Sequence, residues 1–165
     1  MTLIRPVRHG DAEAITSIYN YFIEHTVITF EELKVSAGDM AQRFKTTQKN
    51  ELPWLVAEQD SVVVGYAYAS KWKERSAYRH SVEVTVYVAQ TATRQGIGRR
   101  LYNCLFKELV ARNVNAVMAG IALPNPASIA LHESFGMEKV AHFKQVGCKF
   151  GQWVDVAYWQ KLLNP

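Results

Sequence analysis

The sequence predicts a single α/β (α+β) domain in which a mixed, mostly antiparallel central sheet is flanked by helices. Three observations lead to this prediction. β-Branched residues alternate along Val82–Val88 and run into two glycines and a helical pattern. Two apolar segments flank the turn Gln59–Ser61 as a hairpin, and two further strand-like segments, near residues 138–148 and 152–162, close the chain. A length of 165 residues is most simply one domain that buries its own core.

Two helices and a loop are predicted ahead of the hairpin. Asp11 stands where it can cap a helix whose apolar residues recur at helical spacing over Ile15–Ile23. The segment Thr26–Lys34 has no clear period, so we expect it to cross the surface as a loop. A second helix is predicted over residues 38–49.

Strands and helices are predicted to alternate through the rest of the chain. These elements are strands at Trp54–Glu58, Val62–Ala69, Val82–Val88 and Ala116–Ile121, and helices at residues 97–111 and Pro126–Phe135. The second of these helices is bounded by Asn125 as its N-cap and by Gly136 at its end.

Composition limits the classes of function. The chain is 48% hydrophobic and 12% aromatic, which is typical of a globular protein. Its net charge of +4 is small, and the basic residues form no stripe interleaved with aromatics, so we expect no nucleic-acid partner. Two scattered cysteines favour neither a disulfide framework nor a metal site. Because the sequence has neither an apolar leader nor a run of 18 apolar residues, we expect a cytoplasmic protein without a membrane partner.

A loop with two glycines follows the valine-rich strand. Gly96 and Gly98 let the main chain turn tightly and approach a ligand, and the N–H groups of residues 95–99 open a helix, where phosphate binds. The basic residues around this loop are Arg94, Arg99 and Arg100. Neither the Rossmann nor the Walker pattern fits, since Leu101 stands at the third Rossmann position and no Lys-Ser/Thr follows Gly98. The loop indicates a ligand with a pyrophosphate; the alternative is an ordinary helix start with a flexible lead-in.

The loop and a later motif together resemble a known superfamily. The loop reads Thr-Arg-Gln-Gly-Ile-Gly over Thr93–Gly98, and the later motif is Asn125…Ser128…Leu131-His132-Glu133…Gly136-Met137. This arrangement resembles the acetyl-CoA-dependent N-acetyltransferases of the GCN5-related superfamily, whose loop is usually written Q/R-x-x-G-x-G/A. The first position departs from that pattern, and both glycines are kept. The resemblance implies contacts with acetyl-CoA from Val86, Tyr87, Val88, Arg94, Gln95, Gly96, Ile97, Gly98, Arg99, Asn125 and Ser128.

Glu83 is the candidate general base. It interrupts a valine-rich strand, and its alternation with Val82 and Val84 puts it on the opposite sheet face from both. A carboxylate inside such a strand is costly without a partner, and burial would raise its pKa toward the range useful for a base. The alternative is a glutamate on an edge strand that faces solvent.

His132 is the second candidate catalytic residue. The superfamily commonly carries at this position a tyrosine that protonates the departing coenzyme A thiolate. Histidine has a pKa closer to neutrality than a phenol, so His132 can serve either as that acid or as the base. The alternative is an ordinary helical histidine of the surface or core.

A narrower resemblance extends over nearly the whole chain. Its landmarks are Thr26–Phe30, Pro53–Glu58, Trp72–Tyr78, Val82–Val88, Leu131–Glu133 and Gly151–Val156. They are similar to the phosphinothricin/methionine sulfoximine N-acetyltransferases, which pair a strand Glu with a helical His. Those acceptors carry acidic or polar groups that Lys73 and Arg75 can bind, unless these two belong to a solvated charge run. The resemblance also implicates Phe30, Tyr78 and Thr85 in the acceptor site.

The sequence therefore predicts an acetyl-CoA-dependent amino-acid N-acetyltransferase that acts by direct transfer in a ternary complex, since no nucleophile is marked. The pantetheine arm of acetyl-CoA is expected along the splayed end of the strand, at residues 86–88. The resemblance implies a homodimer in which the partner closes the acceptor site. Two alternatives remain: an acetyltransferase for an antibiotic, a polyamine or a protein amine, and an inert module that senses acetyl-CoA.

Overall fold

A computed structural model describes residues 1–163, which form a seven-stranded sheet with helices on both faces. The strands are β1 Thr2–Pro6, β2 Trp54–Gln59, β3 Val62–Lys71, β4 Ser81–Val88, β5 Ala116–Ala122, β6 Glu138–Lys149 and β7 Gln152–Leu162. The helices are α1 Ala12–His25, α2 Ala37–Lys49, α3 Ile97–Ala111 and α4 Pro126–Glu133. The strand order is β1-β2-β3-β4-β5-β7-β6, and every neighbouring pair is antiparallel except β4–β5. The predicted mixed, mostly antiparallel sheet is confirmed.

Two apolar cores cover the two faces of the sheet. Val82 and Val84 pack with α3, whereas Tyr87 packs with α1 and α2. This division follows from the alternation of side chains along a strand. It confirms that Glu83 projects from the face opposite to its valine neighbours.

The parallel pair β4–β5 separates partway along its length. The ladder runs over three residue pairs, from Ser81–Ala116 to Glu83–Met118, although β4 continues to Val88 and β5 to Ala122. Beyond Glu83 the main chain of β4 is therefore hydrogen-bonded to β3 on one side and faces a gap on the other. This gap opens the sheet from one face to the other.

Most predicted elements are present, with shifted ends. The hairpin turn has positive φ at Asp60 and Ser61, as a two-residue turn between strands requires. The last helix ends at Glu133 and not at Phe135, and Asn125 caps it by accepting a hydrogen bond from Ser128 N. None of the helices within residues 1–163 is long and apolar enough to cross a membrane.

The N-terminal segment differs from the prediction. Strand β1 was not predicted, because it has five residues and only weak alternation. Asp11 precedes α1, yet its side chain does not cap that helix. Its two oxygens instead accept hydrogen bonds of 2.8 Å from the Arg5 guanidinium, and one also accepts from Arg8 N. A bidentate ion pair is stronger than one capping hydrogen bond. The Asp11 carboxylate therefore binds Arg5 of β1 and does not cap α1.

Candidate active site

Two adjacent cavities open at the gap between β4 and β5. The strand-gap cavity, of about 250 Å³, is bounded by Val84–Tyr87, by Asn125 and Ser128 at the start of α4, and by His132. The hairpin cavity, of about 450 Å³, is bounded on its outer side by the β6–β7 hairpin. Five residues line both: Ile28, Phe30, Glu83, Gly120 and Ala122. Glu83 is the ionisable residue among the five, so its carboxylate lies where the two cavities meet.

The surroundings of Glu83 favour a proton acceptor. Burial raises the pKa of this carboxyl, and the Lys73 ammonium and a hydrogen bond from the Gly120 N–H partly oppose the rise. A carboxylate with a raised pKa is a stronger base than an exposed one. The solvent-facing alternative is excluded by this partial burial.

A close approach of two strands fixes the wall beside Glu83. Gly120 of β5 stands opposite Tyr158 of β7, and a Cβ at Gly120 would lie 2.9 Å from the Tyr158 ring. Packing against the Tyr158 ring therefore favours glycine at this position, and the Gly120 N–H reaches the Glu83 carboxylate. Sequence reasoning did not single out Gly120, although a glycine inside an apolar strand signals such an approach.

His132 is 4% exposed and hydrogen-bonded at both ring nitrogens. Nδ1 lies 2.7 Å from the Ser128 carbonyl oxygen, and Nε2 lies 2.9 Å from the Tyr102 hydroxyl. Since a carbonyl only accepts, Nδ1 carries the proton and the Tyr102 hydroxyl donates to Nε2. Burial lowers the pKa of this imidazole, which keeps it neutral at pH 7.

Tyr102 belongs to the site and was missed by the sequence reasoning. It is fully buried on α3, lines the strand-gap cavity with His132, and has its pKa raised by burial and by the charge of Glu83. The available signal was a tyrosine within the apolar stripe of a helix, next to Leu101. A buried phenol there needs a polar partner.

The start of α3 has the features expected of a phosphate site. Gly96 has φ of +73°, which favours glycine, and a Cβ there would meet nothing within 4 Å. Residues 93–96 are exposed, as are Arg99 and Arg100. The first N–H groups of a helix have no partner within the helix, so they are available to an anion.

The side-chain positions of Ile97 and Gly98 face the protein interior. The Ile97 side chain is buried in the core, so only its main chain can meet a cofactor. A Cβ at Gly98 would lie 3.2 Å from Leu131, so that glycine is explained by the close packing of α3 on α4.

The predicted acceptor residues are only partly brought together. Phe30 lines both cavities and Thr85 lines the strand-gap cavity. Lys73 is close enough to Glu83 to lower its pKa, yet it lines neither cavity, and its ammonium stands over the Trp72 ring. Arg75 and Tyr78 are exposed and also line neither cavity. Within residues 1–163 of one chain, Lys73 is therefore near Glu83, whereas Arg75 and Tyr78 lie outside both cavities.

The outer wall of the hairpin cavity is apolar and was not predicted. It is built by Phe143, Val146, Val156 and Tyr158, with Ile28 opposite. Ile28 is far in sequence from the other four, which lie on the two paired strands of one hairpin, and no local pattern marks Ile28 as their neighbour. Within residues 1–163, no group of three or more His, Cys, Asp or Glu side chains is arranged to hold a metal ion.

Two relatives of the chain are named for phosphinothricin and for methionine sulfoximine or methionine sulfone. The chain is 39% identical to a phosphinothricin N-acetyltransferase from Streptomyces viridochromogenes, over 96% of this chain and 86% of the relative. It is 35% identical to an L-methionine sulfoximine/L-methionine sulfone acetyltransferase from Salmonella typhimurium, over 98% and 94% of the two chains.

Solved structures share the fold. A putative acetyltransferase from Salmonella typhimurium, determined with its cofactor acetyl-CoA, superimposes with a TM-score of 0.96 at 35% identity, covering 99% of this chain and 94% of that one. A structure named ribosomal-protein-alanine N-acetyltransferase, from Brucella melitensis, gives 0.95 at 41% identity, covering 97% and 99%.

The family model described as an acetyltransferase (GNAT) domain matches residues 4–158, which is almost the whole chain. The resemblance drawn from the glycine loop and the later Asn…His motif is thereby confirmed. The chain belongs to the GNAT family of acetyltransferases.

Proposed function

We propose that this chain transfers the acetyl group of acetyl-CoA to the α-amine of a small acidic amino-acid analogue, such as phosphinothricin, methionine sulfoximine or methionine sulfone. The observation that carries the proposal is the location of Glu83 at the junction of two cavities. One cavity begins in the strand gap beside α3 and α4, and the other opens under the β6–β7 hairpin. A base at that junction can deprotonate an amine in the hairpin cavity next to a thioester in the strand-gap cavity.

Acetyl-CoA fits the strand-gap side. The exposed loop at residues 93–96 and the start of α3 would hold the pyrophosphate through main-chain N–H groups and Arg94 or Arg99. The unpaired edge of β4 at residues 84–88 would hydrogen-bond the pantetheine amides, as another strand would. Bound there, acetyl-CoA supplies an activated acetyl thioester. The chain's residues then have to position the acceptor and move protons.

Glu83 takes the first proton. An α-ammonium has a pKa above 7 and is not nucleophilic until it loses a proton. The raised pKa of Glu83 suits this task, and the Lys73 ammonium partly opposes the rise. The Gly120 N–H holds one side of the carboxylate, which orients the other side toward the cavities.

Tyr102 and His132 handle the second proton, which the nitrogen loses as the amide forms. The Tyr102 oxygen can accept that proton while its own O–H proton passes to Nε2 of His132, 2.9 Å away. The Ser128 carbonyl stabilises the imidazolium through Nδ1–H. Return along the same path delivers the proton to the leaving sulfur. In this scheme His132 acts first as a base and then as an acid, and both roles pass through Tyr102.

The acidic end of the acceptor is assigned to Lys73, Arg75 and Tyr78. Because Arg75 and Tyr78 line neither cavity of their own chain, we propose that the protein is a homodimer in which the partner completes the acceptor site. Exposed apolar side chains on the β6–β7 hairpin support a buried contact there. They are Val140, Phe143, Val146, Phe150 and Trp153.

A panel of amino acids tests the proposal. Release of coenzyme A thiol would be measured with phosphinothricin, methionine sulfoximine, methionine sulfone, glutamate and a polyamine. We expect turnover with the first three and none with the polyamine, since a cation gains nothing from Lys73 and Arg75. Binding of acetyl-CoA without turnover on any acceptor would favour an inert sensing module.

A second candidate is acetylation of a protein N-terminus. The Brucella melitensis structure, at 41% identity, is named for that activity. A peptide with an N-terminal alanine therefore belongs in the panel. Turnover on this peptide that exceeds turnover on every free amino acid would replace the proposed acceptor class and keep the chemistry.

A further inference from the structure

Lys149 is a buried lysine at the end of β6. Its side chain is 1% exposed, although lysine is rarely buried without a partner. Its Nζ donates a 2.8 Å hydrogen bond to the main-chain carbonyl of Thr29, in the α1–α2 loop. Burial lowers the pKa of this ammonium, and the nearby Glu32 and Glu31 oppose that effect. The Lys149 side chain is therefore buried where its ammonium hydrogen-bonds to the main-chain carbonyl of Thr29.

Gly147 makes a second contact with the same loop. It lies two residues before Lys149, so both project from the same face of β6, and both are buried. A Cβ at Gly147 would lie 2.3 Å from the Phe30 ring. Only a residue without a side chain leaves room for that ring. Two consecutive inward positions of β6 therefore contact Thr29 and Phe30 in turn.

A bulge aligns this part of β6. The pairing of β6 with β7 shifts between Phe143 and Gly147, and Gln145 has φ of +49°. Asp155 of β7 accepts hydrogen bonds from Gln145 N, at 2.8 Å, and from His142 Nε2, at 2.7 Å. Such a bulge redirects the side chains that follow it.

The loop is fixed on both sides of Phe30. The Tyr19 hydroxyl is 2.8 Å from Thr29 Oγ1, and Glu31 forms a two-pronged ion pair with Arg43. Phe30 itself is 40% exposed and forms part of the wall of both cavities. The location of its ring is therefore decided by its neighbours.

We propose that Lys149 and Gly147 are positioning residues that hold the Phe30 ring in the wall of the acceptor site. The position of this ring would then determine which acceptor side chains the hairpin cavity admits. The part of this inference that concerns acceptors rests on the proposed function. The mechanical part, that β6 holds Phe30, does not. The two parts are tested by different measurements.

Amide hydrogen exchange tests the mechanical part on the protein without substrate. Lys149→Met keeps the apolar stem and removes the donor, so we expect exchange across residues 27–31 to quicken about tenfold or more. Lys144→Met is the matched control, because Lys144 is an exposed lysine on the same strand. Equal exchange in the two variants would overturn the proposal, whether or not the protein turns over an amino acid.

A double-mutant cycle tests the consequence for acceptors. Gly147→Ala should raise the KM for phosphinothricin about tenfold and leave the KM for acetyl-CoA within about twofold, since its methyl group collides with Phe30. In a Phe30→Ala background that collision partner is gone, so adding Gly147→Ala should change the acceptor KM little. A general loss of stability would persist in both backgrounds and would lower kcat and melting temperature as well.

The outcomes separate the two proposals. If the unaltered protein acetylates no amino acid, the proposed function fails and the exchange experiment still decides the role of Lys149. If it does acetylate phosphinothricin and Gly147→Ala has the same effect with and without Phe30, the positioning role fails alone.

Discussion

The strand-gap side of the site and the hairpin side are built in opposite ways. On the strand-gap side, the groups that we propose for donor binding are mostly main-chain groups of one continuous segment, from the unpaired edge of β4 to the start of α3 at Ile97. The hairpin side is lined by residues from five separate segments, which contribute Phe30, Glu83, Ala122, Phe143 and Tyr158 among others. One side is local in sequence and polar through its main chain. The other is assembled by the fold and is largely apolar.

The proposed function accounts for this difference, because it assigns the donor to the strand-gap side and the acceptor to the hairpin side. A donor that is the same in every turnover can be held by main-chain N–H and C=O groups, which do not change when side chains are substituted. An acceptor has to be distinguished from other amines by shape and charge, which only side chains supply. We therefore expect substitutions on the strand-gap side to alter donor binding, and those on the hairpin side to alter selectivity. The junction residues should alter turnover itself.

The largest effect is expected at the junction. Glu83→Gln keeps the shape of the side chain and removes the base, so kcat should fall by about 10²–10⁴-fold if proton transfer is limiting. Both KM values should change little. Steady-state kinetics with Glu13→Gln, an exposed glutamate on α1, as control would measure this. A kcat close to that of the control would remove Glu83 from its proposed role.

The next effect is expected at the Tyr102–His132 pair. His132→Ala and Tyr102→Phe should each lower kcat with acetyl-CoA by about 10²-fold, because each interrupts the path of the second proton. The deficit should shrink with an acetyl donor whose leaving thiol is more acidic. Tyr21→Phe, on the exposed side of α1, is the control. An identical deficit with both donors would contradict the role of the pair at the leaving sulfur.

A smaller effect, confined to the donor, is expected at the glycine loop. Gly96→Val adds a branched side chain at a positive φ, where the main chain must stay open to the pyrophosphate. We expect the Kd for acetyl-CoA to rise about tenfold or more, with acceptor KM values unchanged. Calorimetric titration is the measurement. Gly10→Val is the control, since that glycine also has no atom within 4 Å of an added Cβ and no positive φ.

A comparable effect confined to the acceptor is expected at Arg75. Arg75→Gln should raise the KM for phosphinothricin about tenfold and leave that for alanine and for acetyl-CoA unchanged. Arg79→Gln, in the same exposed segment, is the control. Because we assign Arg75 to the partner's site, a variant that cannot dimerise should show no selectivity for acidic acceptors. In that variant Arg75→Gln should not raise the KM for phosphinothricin further. Equal changes for acidic and neutral acceptors would remove Arg75 from recognition.

The same contrast explains what the sequence could predict. The alternating valines predicted β4, and Gly96 and Gly98 predicted the start of α3, because each of these patterns lies within a few residues of sequence. Glu83 was found because a charge inside an apolar strand is conspicuous. Gly120 and Val146 were not found, since their proximity depends on the β5–β7 register and on the bulge at Gln145. Long-range pairing of this kind leaves no periodic pattern in a single sequence.

Asp11 and Lys149 illustrate a second limit. The pattern around Asp11 suggested a helix cap, and the pattern around Lys149 suggested nothing unusual. The partner of Asp11 lies on β1, outside the helix, and the partner of Lys149 lies far along the chain. Asp11 pairs with Arg5 across the entry to α1, and Lys149 reaches Thr29, 120 positions away. A charged group is buried only where the fold brings a partner to it. Which charges are buried therefore depends on topology that local patterns do not contain.

The smallest expected effect is on stability and concerns His132. Burial lowers its pKa in the folded protein below the ordinary value of 6.5, so the unfolded chain binds this proton more readily. The stability due to the neutral imidazole is fully present above pH 6.5 and is lost as the pH falls through the folded-state pKa. Denaturant unfolding at pH 7.5 and pH 5 should therefore show a larger loss for the unaltered protein than for His132→Gln. All other ionisable groups are common to both proteins and cancel in the difference. An equal loss in both would mean that His132 is not held neutral by its surroundings, and the proton path through Tyr102 would lose its acceptor.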